Sequence, residues 1–315
     1  RLRQFVLTPQ EMQSPSVDLA FALRPGVGYV RISSFDVSTG ADARAAIEKL
    51  GGSGLKALVL DLRKNPGGLV ASALEVASLF LKPGQTILTI AGRAVASREE
   101  KAPEEAKPYS FPLAVLVDSA TASASEIVAG SLQDHKRAVI VGQTTYGKGL
   151  VQSIFPLSEG AGLALTTAYY YTPAGRSIQK RIEGGLLGHL APGEAPGRGG
   201  IEPDRPAAAA PLTRLQVFLD VTGSFPTFAA EYLRRHPGLA QDFEITPRVL
   251  DEFRGFLAER EVVPPAGEWS AVRGWITARL KAEIFNQAFG VAKGEEIEAQ
   301  RDPFILAALK ALDLS

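Results

Sequence analysis

Cysteine is absent from the 315 residues. That excludes disulfides, thiolate metal sites and a cysteine nucleophile, and it fits a reducing or an oxidising compartment equally well. Charge of one sign is lacking too: 34 basic residues face 34 acidic ones, so nothing draws the chain to nucleic acid or an anionic membrane. No apolar run approaches the roughly 18 residues a bilayer span requires. Methionine occurs once, at Met12, and the opening Arg1-Leu2-Arg3-Gln4-Phe5 is not a signal peptide, so an upstream segment is expected. Histidine is scarce, with three copies. His135 lies in the polar stretch Gln133-Asp134-His135-Lys136-Arg137, His189 in a Gly-rich stretch and His236 before Pro237. None is three or four residues from another, as a metal pair on a helix would be, and all three read as surface residues. A serine–histidine triad would have to draw on them.

What is present is an ordinary globular balance, 45% hydrophobic and 22% charged, with length for two domains and an appendage. Residues 17–23 and 27–32 read as strands around the turn Arg24-Pro25-Gly26, and 41–50 as a helix stopped by Gly51-Gly52. The short aliphatic runs 55–61, 113–118 and 138–142 read as strands buried on both faces. Helical patterns over 69–81 and 123–133 lie between them, so the first 180 residues are expected to be α/β. Residues 180–212, rich in Gly, Pro and Ala, read as loop and linker. Beyond them, 212–221, 227–235, 246–260 and 268–287 carry helical apolar stripes, the last through Val272, Ile276, Leu280 and Ile284.

Three segments could hold chemistry, and each has a plainer reading. In Asp118-Ser119-Ala120-Thr121-Ala122-Ser123-Ala124-Ser125-Glu126 a buried strand feeds a helix. Ser123 there is either a nucleophile beside free N–H groups or simply an N-cap, with Glu126 completing a capping box. In Gly142-Gln143-Thr144-Thr145-Tyr146-Gly147-Lys148-Gly149 the pattern G-x-x-x-x-G-K suggests a phosphate loop. The magnesium-binding hydroxyl is missing at Gly149, however, and Leu150–Pro156 reads as a strand where such a loop needs a helix. Lys148 is then a solvated surface lysine or a general base whose pKa an apolar pocket of Tyr146, Leu150 and glycines would depress. If the segment is extended, Gln152 shares its face and could orient the amine. The turn Asn65-Pro66-Gly67-Gly68 joins a strand to a helix, and its glycines could also bring backbone N–H groups to a ligand.

Taken together, six segments in order resemble the carboxyl-terminal processing, or tail-specific, proteases. They are Val27–Phe35, Leu58–Gly68, Thr121–Gly130, Val141–Gln152, Tyr171–Gln179 and Gly200–Asp204. The resemblance implies an α/β core similar to the crotonase and Clp-protease spiral over 8–205, interrupted by a Gly-rich insertion at 183–200, with an all-helical region at 206–315. It implies that Ser123 is the nucleophile, Lys148 the general base and Gln152 its orienting partner. Ala124 and one of Gly67 or Gly68 supply the oxyanion hole, Asp134 supports the site, and no metal or cofactor takes part. Substrates are expected to be proteins cut near their carboxyl termini outside the cytoplasm, in the periplasm or an equivalent space. The family's PDZ domain is represented at most by its last strand, residues 1–7. The helical region matches nothing in the family and is a candidate surface for self-association. A non-catalytic scaffold of the same fold and a nucleotide-binding protein are the competing classes.

Overall fold

The computed structural model describes residues 14–93, 95–180 and 199–314; the expected PDZ strand at 1–7 and nearly all of the 183–200 insertion lie outside them. The chain opens with an antiparallel pair, β1 (Val17–Arg24) and β2 (Val27–Ile32). It continues through α1 (Thr39–Leu50), β3 (Ala57–Asp61), α2 (Val70–Ser78), β4 (Thr86–Gly92), β5 (Val95–Lys101), β6 (Leu113–Val117), α3 (Ala124–Asp134) and β7 (Val139–Gly142). Then come β8 (Leu150–Pro156), β9 (Gly162–Tyr171) and the two-residue β10 (Arg205–Pro206).

The main sheet has the order β1-β2-β3-β6-β7-β10, and every neighbour pair after the first is parallel. The aliphatic runs follow from that arrangement, since a parallel strand with both faces covered cannot alternate with polar residues. Leu58, Leu60, Val115, Val117 and Ile140 turn to one face and pack on α1, α2 and α3 through Ile47, Val76, Ile127 and Val128. The alternate residues Ala57, Val59, Ala114, Leu116 and Val141 turn to the other face. The linker expected at 180–212 is thus interrupted at Arg205–Pro206, where β10 extends the sheet beside β7. A second, antiparallel sheet, β5-β4-β9-β8, was only partly anticipated, at β8.

Residues 214–311 are helical, as expected: α4 (Arg214–Val221), α5 (Ser224–Arg235), α6 (Pro247–Ala258), α7 (Ala266–Phe289), α8 (Val291–Ala299) and α9 (Pro303–Ala311). The first four enclose a core of their own around Phe225, Phe228, Phe253 and Phe256, and the stripe Val272, Ile276, Leu280 and Ile284 is buried in it. The last helix returns to the sheet. Phe304, Ile305, Ala308 and Leu309 of α9 cover Val59, Ala114 and Leu116, so the second face of the parallel sheet is closed by the end of the chain. No helix among the described residues is long and apolar enough to cross a membrane.

Candidate active site

Strand β6 ends at Val117, and Asp118 organises the turn after it. One of its carboxylate oxygens accepts the N–H groups of Ala120, Thr121 and Lys64, each at 3.0 Å. The Thr121 hydroxyl donates back to Leu62 O at 2.9 Å. This brings Ser123 to the N-terminus of α3 with φ 57° and ψ −116°, a sparsely populated positive-φ conformation that costs a serine about 1–3 kcal/mol. Such strain persists only where the surroundings hold it. Here they do: the Ser123 N–H donates to Glu126 Oε2 at 2.7 Å. Sequence reasoning offered N-cap and nucleophile as alternatives; the residue occupies the cap position in a geometry that ordinary N-caps do not need.

Glu126 is fully buried. Besides Ser123, it accepts from the Thr145 hydroxyl at 2.5 Å, Gly147 N–H at 2.7 Å and Lys148 N–H at 2.9 Å. The Thr145 hydroxyl itself accepts the Ile201 N–H at 2.7 Å, so its proton is directed at the carboxylate. Burial pushes the Glu126 carboxyl above the usual range, and the four donors pull only part of the way back. Glu126 was legible in the sequence only as a capping-box residue. Its bonds to Gly147 and Lys148, more than twenty positions on, leave no local pattern.

The segment carrying Lys148 alternates. Thr145, Gly147 and Gly149 are buried, while Thr144, Tyr146 and Lys148 are exposed. The inward positions are pinned, Gly147 by Glu126 and Gly149 by Gln179 Oε1 at 3.0 Å. The outward ones face solvent, Tyr146 with 60% of its surface accessible. Among the described residues, the apolar shelter expected around Lys148 is therefore absent. Among the described residues no hydrogen bond or ion pair engages its amine, that of Ser123 Oγ included. Nor do Lys148 and Gln152 share one strand face: β8 starts only at Leu150, and a bulge falls between Val151 and Gln152. Gln152 is exposed. The segment runs into strand β8, so the helix that must follow a phosphate loop is replaced by a strand.

The turn after β3 lies directly against Ser123. A Cβ on Gly67 would fall 2.8 Å from the Ser123 Cβ and 2.9 Å from the Ala124 nitrogen. Its N–H is taken by Asn65 Oδ1 at 2.8 Å, while Asn65 Nδ2 donates to Ile32 O and Asn65 O accepts from Ala122 N–H. The Gly68 and Ala124 N–H groups, by contrast, have no partner among the described residues. Of the two glycines, Gly68 is the one with a donor to offer. Asp134 ends α3, about 15 Å along the helix from Ser123 by its length. It binds the Arg176 guanidinium and accepts Ala174 N–H at 2.8 Å, holding the 172–176 turn.

His135, expected in a solvated turn, is half-buried, with Nε2 2.7 Å from Thr86 O. His236 stacks on Tyr232 at 4.2 Å, and His189 lies outside the described residues. No group of three or more His, Asp or Glu side chains among the described residues is arranged to hold a metal.

A strained serine at a strand-to-helix turn, unpartnered N–H groups beside it and a lysine loop tied to the same helix form one site. The model of peptidase family S41 matches residues 26–187, just over half of the chain, and the chain belongs to that family. It is 45% identical over 156 residues to carboxyl-terminal-processing peptidase 2, chloroplastic, of Arabidopsis thaliana, covering 50% of this chain and 30% of that one. It is 44% identical over 181 residues to a carboxyl-terminal-processing protease of Synechocystis sp., covering 56% and 42%. Among solved structures it is similar to the photosystem II D1 C-terminal processing protease, with 37% identity, 59% of this chain and 44% of the other covered, and a TM-score of 0.49. The chain thus spans less than half the length of these relatives.

Proposed function

We propose that the chain is a serine endopeptidase that cuts protein substrates near their carboxyl termini in an extracytoplasmic space. The observation that carries this reading is the Glu126 carboxylate, one oxygen of which binds the backbone of both Ser123 and Lys148. That bond fixes nucleophile and base on a common anchor. Ser123 Oγ attacks the scissile carbonyl carbon while its proton passes to neutral Lys148 Nζ, and the oxyanion is held by the N–H groups of Ala124 and Gly68. The C–N bond then breaks, the leaving amine takes the proton from Lys148, and water hydrolyses the acyl-enzyme by the reverse sequence. Gln152 orients the amine once the loop and β8 close around substrate, and Asp134 acts at a distance through the 172–176 turn. The reaction draws on no metal or cofactor.

Lys148 is exposed in the free protein, so the apolar surroundings that a lysine base needs come with the substrate. The same exposure favours a second reading, a gated or inactive scaffold. A serine-reactive phosphonate probe separates the two. Labelling of Ser123 in the wild type, slowed about a hundredfold in Lys148→Ala, is the outcome for the protease; an unlabelled Ser123 in the presence of peptide substrate is the outcome for the scaffold. Self-association through residues 206–315 is supported by the outer face of α4, where Val217, Phe218 and Val221 are exposed.

A further inference from the structure

The Arg63 guanidinium lies between two carboxylates from opposite ends of the chain. On one side is buried Asp61, with Nη2 2.6 Å from Oδ2 and Nε 3.0 Å from Oδ1. Asp61 is held in turn by the Tyr29 hydroxyl at 2.7 Å. On the other side is Asp302, 2.8 Å from Nη1. The Phe304 ring closes the third side, its centroid 4.9 Å from the guanidinium carbon. Burial opposes the charge of Arg63, but the hydrogen bonds and fields of Asp61 and then Asp302 outweigh it and hold the group more firmly protonated than usual.

Arg63 leads directly into the turn beside Ser123. Lys64 sits at φ 58°, strained for a side chain of its size, and its N–H is fixed on Asp118. Asn65 O then accepts the Ala122 N–H at 3.0 Å and the Ser125 hydroxyl at 3.2 Å, one on each side of Ser123. Asn65 Oδ1 takes the Gly67 N–H, which leaves that of Gly68 unpartnered. A strained backbone keeps its conformation only when its surroundings over-determine it. Asp118 is the clamp after Lys64, and the Arg63 guanidinium is the clamp before it.

We propose that Asp302 is a positioning residue of the catalytic centre. Through Arg63 it fixes the 63–68 turn, and so the Gly68 N–H that faces the oxyanion, which makes α9 part of the catalytic unit and not an appendage. The inference rests on the serine peptidase reading given above.

The two oxygens of Asp302 do different jobs, and this makes the test clean. Oδ1 caps α9 by accepting the Phe304 N–H at 2.8 Å and the Ile305 N–H at 3.3 Å, while Oδ2 binds Arg63. Asparagine caps a helix as well as aspartate does, so Asp302→Asn keeps the cap and removes the ion pair. In the whole chain, Asp302→Asn is expected to slow phosphonate labelling of Ser123 about tenfold, the scale of a sub-ångström misplacement at a reacting centre. Amide hydrogen exchange over residues 62–69 should be faster than in the wild type, and the thermal midpoint should stay within about 2 °C. Asp302→Glu, which restores the charge, should recover part of the rate. Glu295→Gln cuts a different tie between the helical region and the sheet, the 3.4 Å pair with Arg31, and should leave both readouts alone. Should Asp302→Asn fail to fold, Phe304→Leu keeps the apolar dock, removes the ring under Arg63 and should move both readouts in the same direction. Wild-type labelling or wild-type exchange over 62–69 in the variant that folds overturns the proposal. If the wild type itself is not labelled, the peptidase reading fails, and exchange over 62–69 alone decides whether Asp302 holds the turn.

Discussion

Glu126 Oε2 accepts the N–H of Lys148 at 2.9 Å and that of Ser123 at 2.7 Å. Three of the four donors on this carboxylate are backbone amides, which cannot reverse their polarity. Glu126→Gln would set an amide NH2 against at least one of them, and a buried donor left without an acceptor costs about 1–3 kcal/mol. We expect the urea midpoint to fall accordingly and phosphonate labelling of Ser123 to slow at least tenfold, since the strained turn loses its inner tie. Wild-type labelling in this variant would mean that the turn holds its geometry without the carboxylate.

The raised pKa of the Glu126 carboxyl has a thermodynamic consequence with a definite sign. The unfolded chain releases this proton near the ordinary value of about 4.3, whereas the buried group holds it to higher pH. The native state binds the proton more tightly, so this group's contribution to stability is greatest below the unfolded value and is lost as pH rises through the folded one. Glu126→Gln does not titrate. The unfolding free energy of the wild type minus that of the variant should therefore decline from about pH 4.5 upward, as urea titrations at a series of pH values would record. A difference that grows with pH would show that the four hydrogen bonds outweigh burial.

Glycines at the site differ sharply in what they tolerate. A Cβ at Gly67 would sit 2.8 Å from Ala122 O and from the Ser123 Cβ, at φ +99°. At Gly68 it would sit 2.1 Å from Phe35 O, at φ +146°. Either contact forces backbone to move, so Gly67→Ala and Gly68→Ala should each cost more than about 2 kcal/mol and abolish labelling. Gly175 also has positive φ, +77°, but nothing lies within 4 Å of its Cβ position. Gly175→Ala should cost only the left-handed penalty of about 1–2 kcal/mol. Equal thermal shifts in all three would remove the steric account.

Much of this centre could be read in the sequence because its parts obey short-range rules. The runs ending at Asp61, Val117 and Gly142 are strands because both sheet faces are covered, and Ser123 heads a helix with Glu126 three residues on. What could not be read depends on distance along the chain. Strand β5, Val-Ala-Ser-Arg-Glu-Glu-Lys, is almost wholly exposed and has no apolar alternation to betray it. The expected pocket around Lys148 took Tyr146 and Leu150 as walls, but the tie of Gly147 to Glu126 turns Tyr146 and Lys148 outward together. That the Gly67 N–H already has a partner depends on the Asn65 side chain, two residues back, whose orientation no local pattern sets. Nothing near Pro303 announces that α9 closes the back of the sheet, because its apolar residues would suit any core.

The chain carries two tryptophans, Trp269 and Trp275, both on α7 and both in the core formed with α4, α5 and α6. Indole fluorescence thus reports that core and no other. Phe253 is at its centre, with ring centroids 5.1 Å from Phe228, 5.4 Å from Phe225 and 6.2 Å from Trp269. Phe253→Ala should cost about 3–5 kcal/mol. Among the described residues, the α4–α7 core shares no buried side chain with the sheet, whose second face is closed by α9. The loss should therefore fall on the helices first. In urea, the indole transition of Phe253→Ala should move to lower concentration than the loss of Ser123 labelling, while the two coincide more nearly in the wild type. Should both transitions shift together by the same amount, the helical core and the parallel sheet unfold as one cooperative unit, joined through α8 and α9 more tightly than their separate interiors suggest.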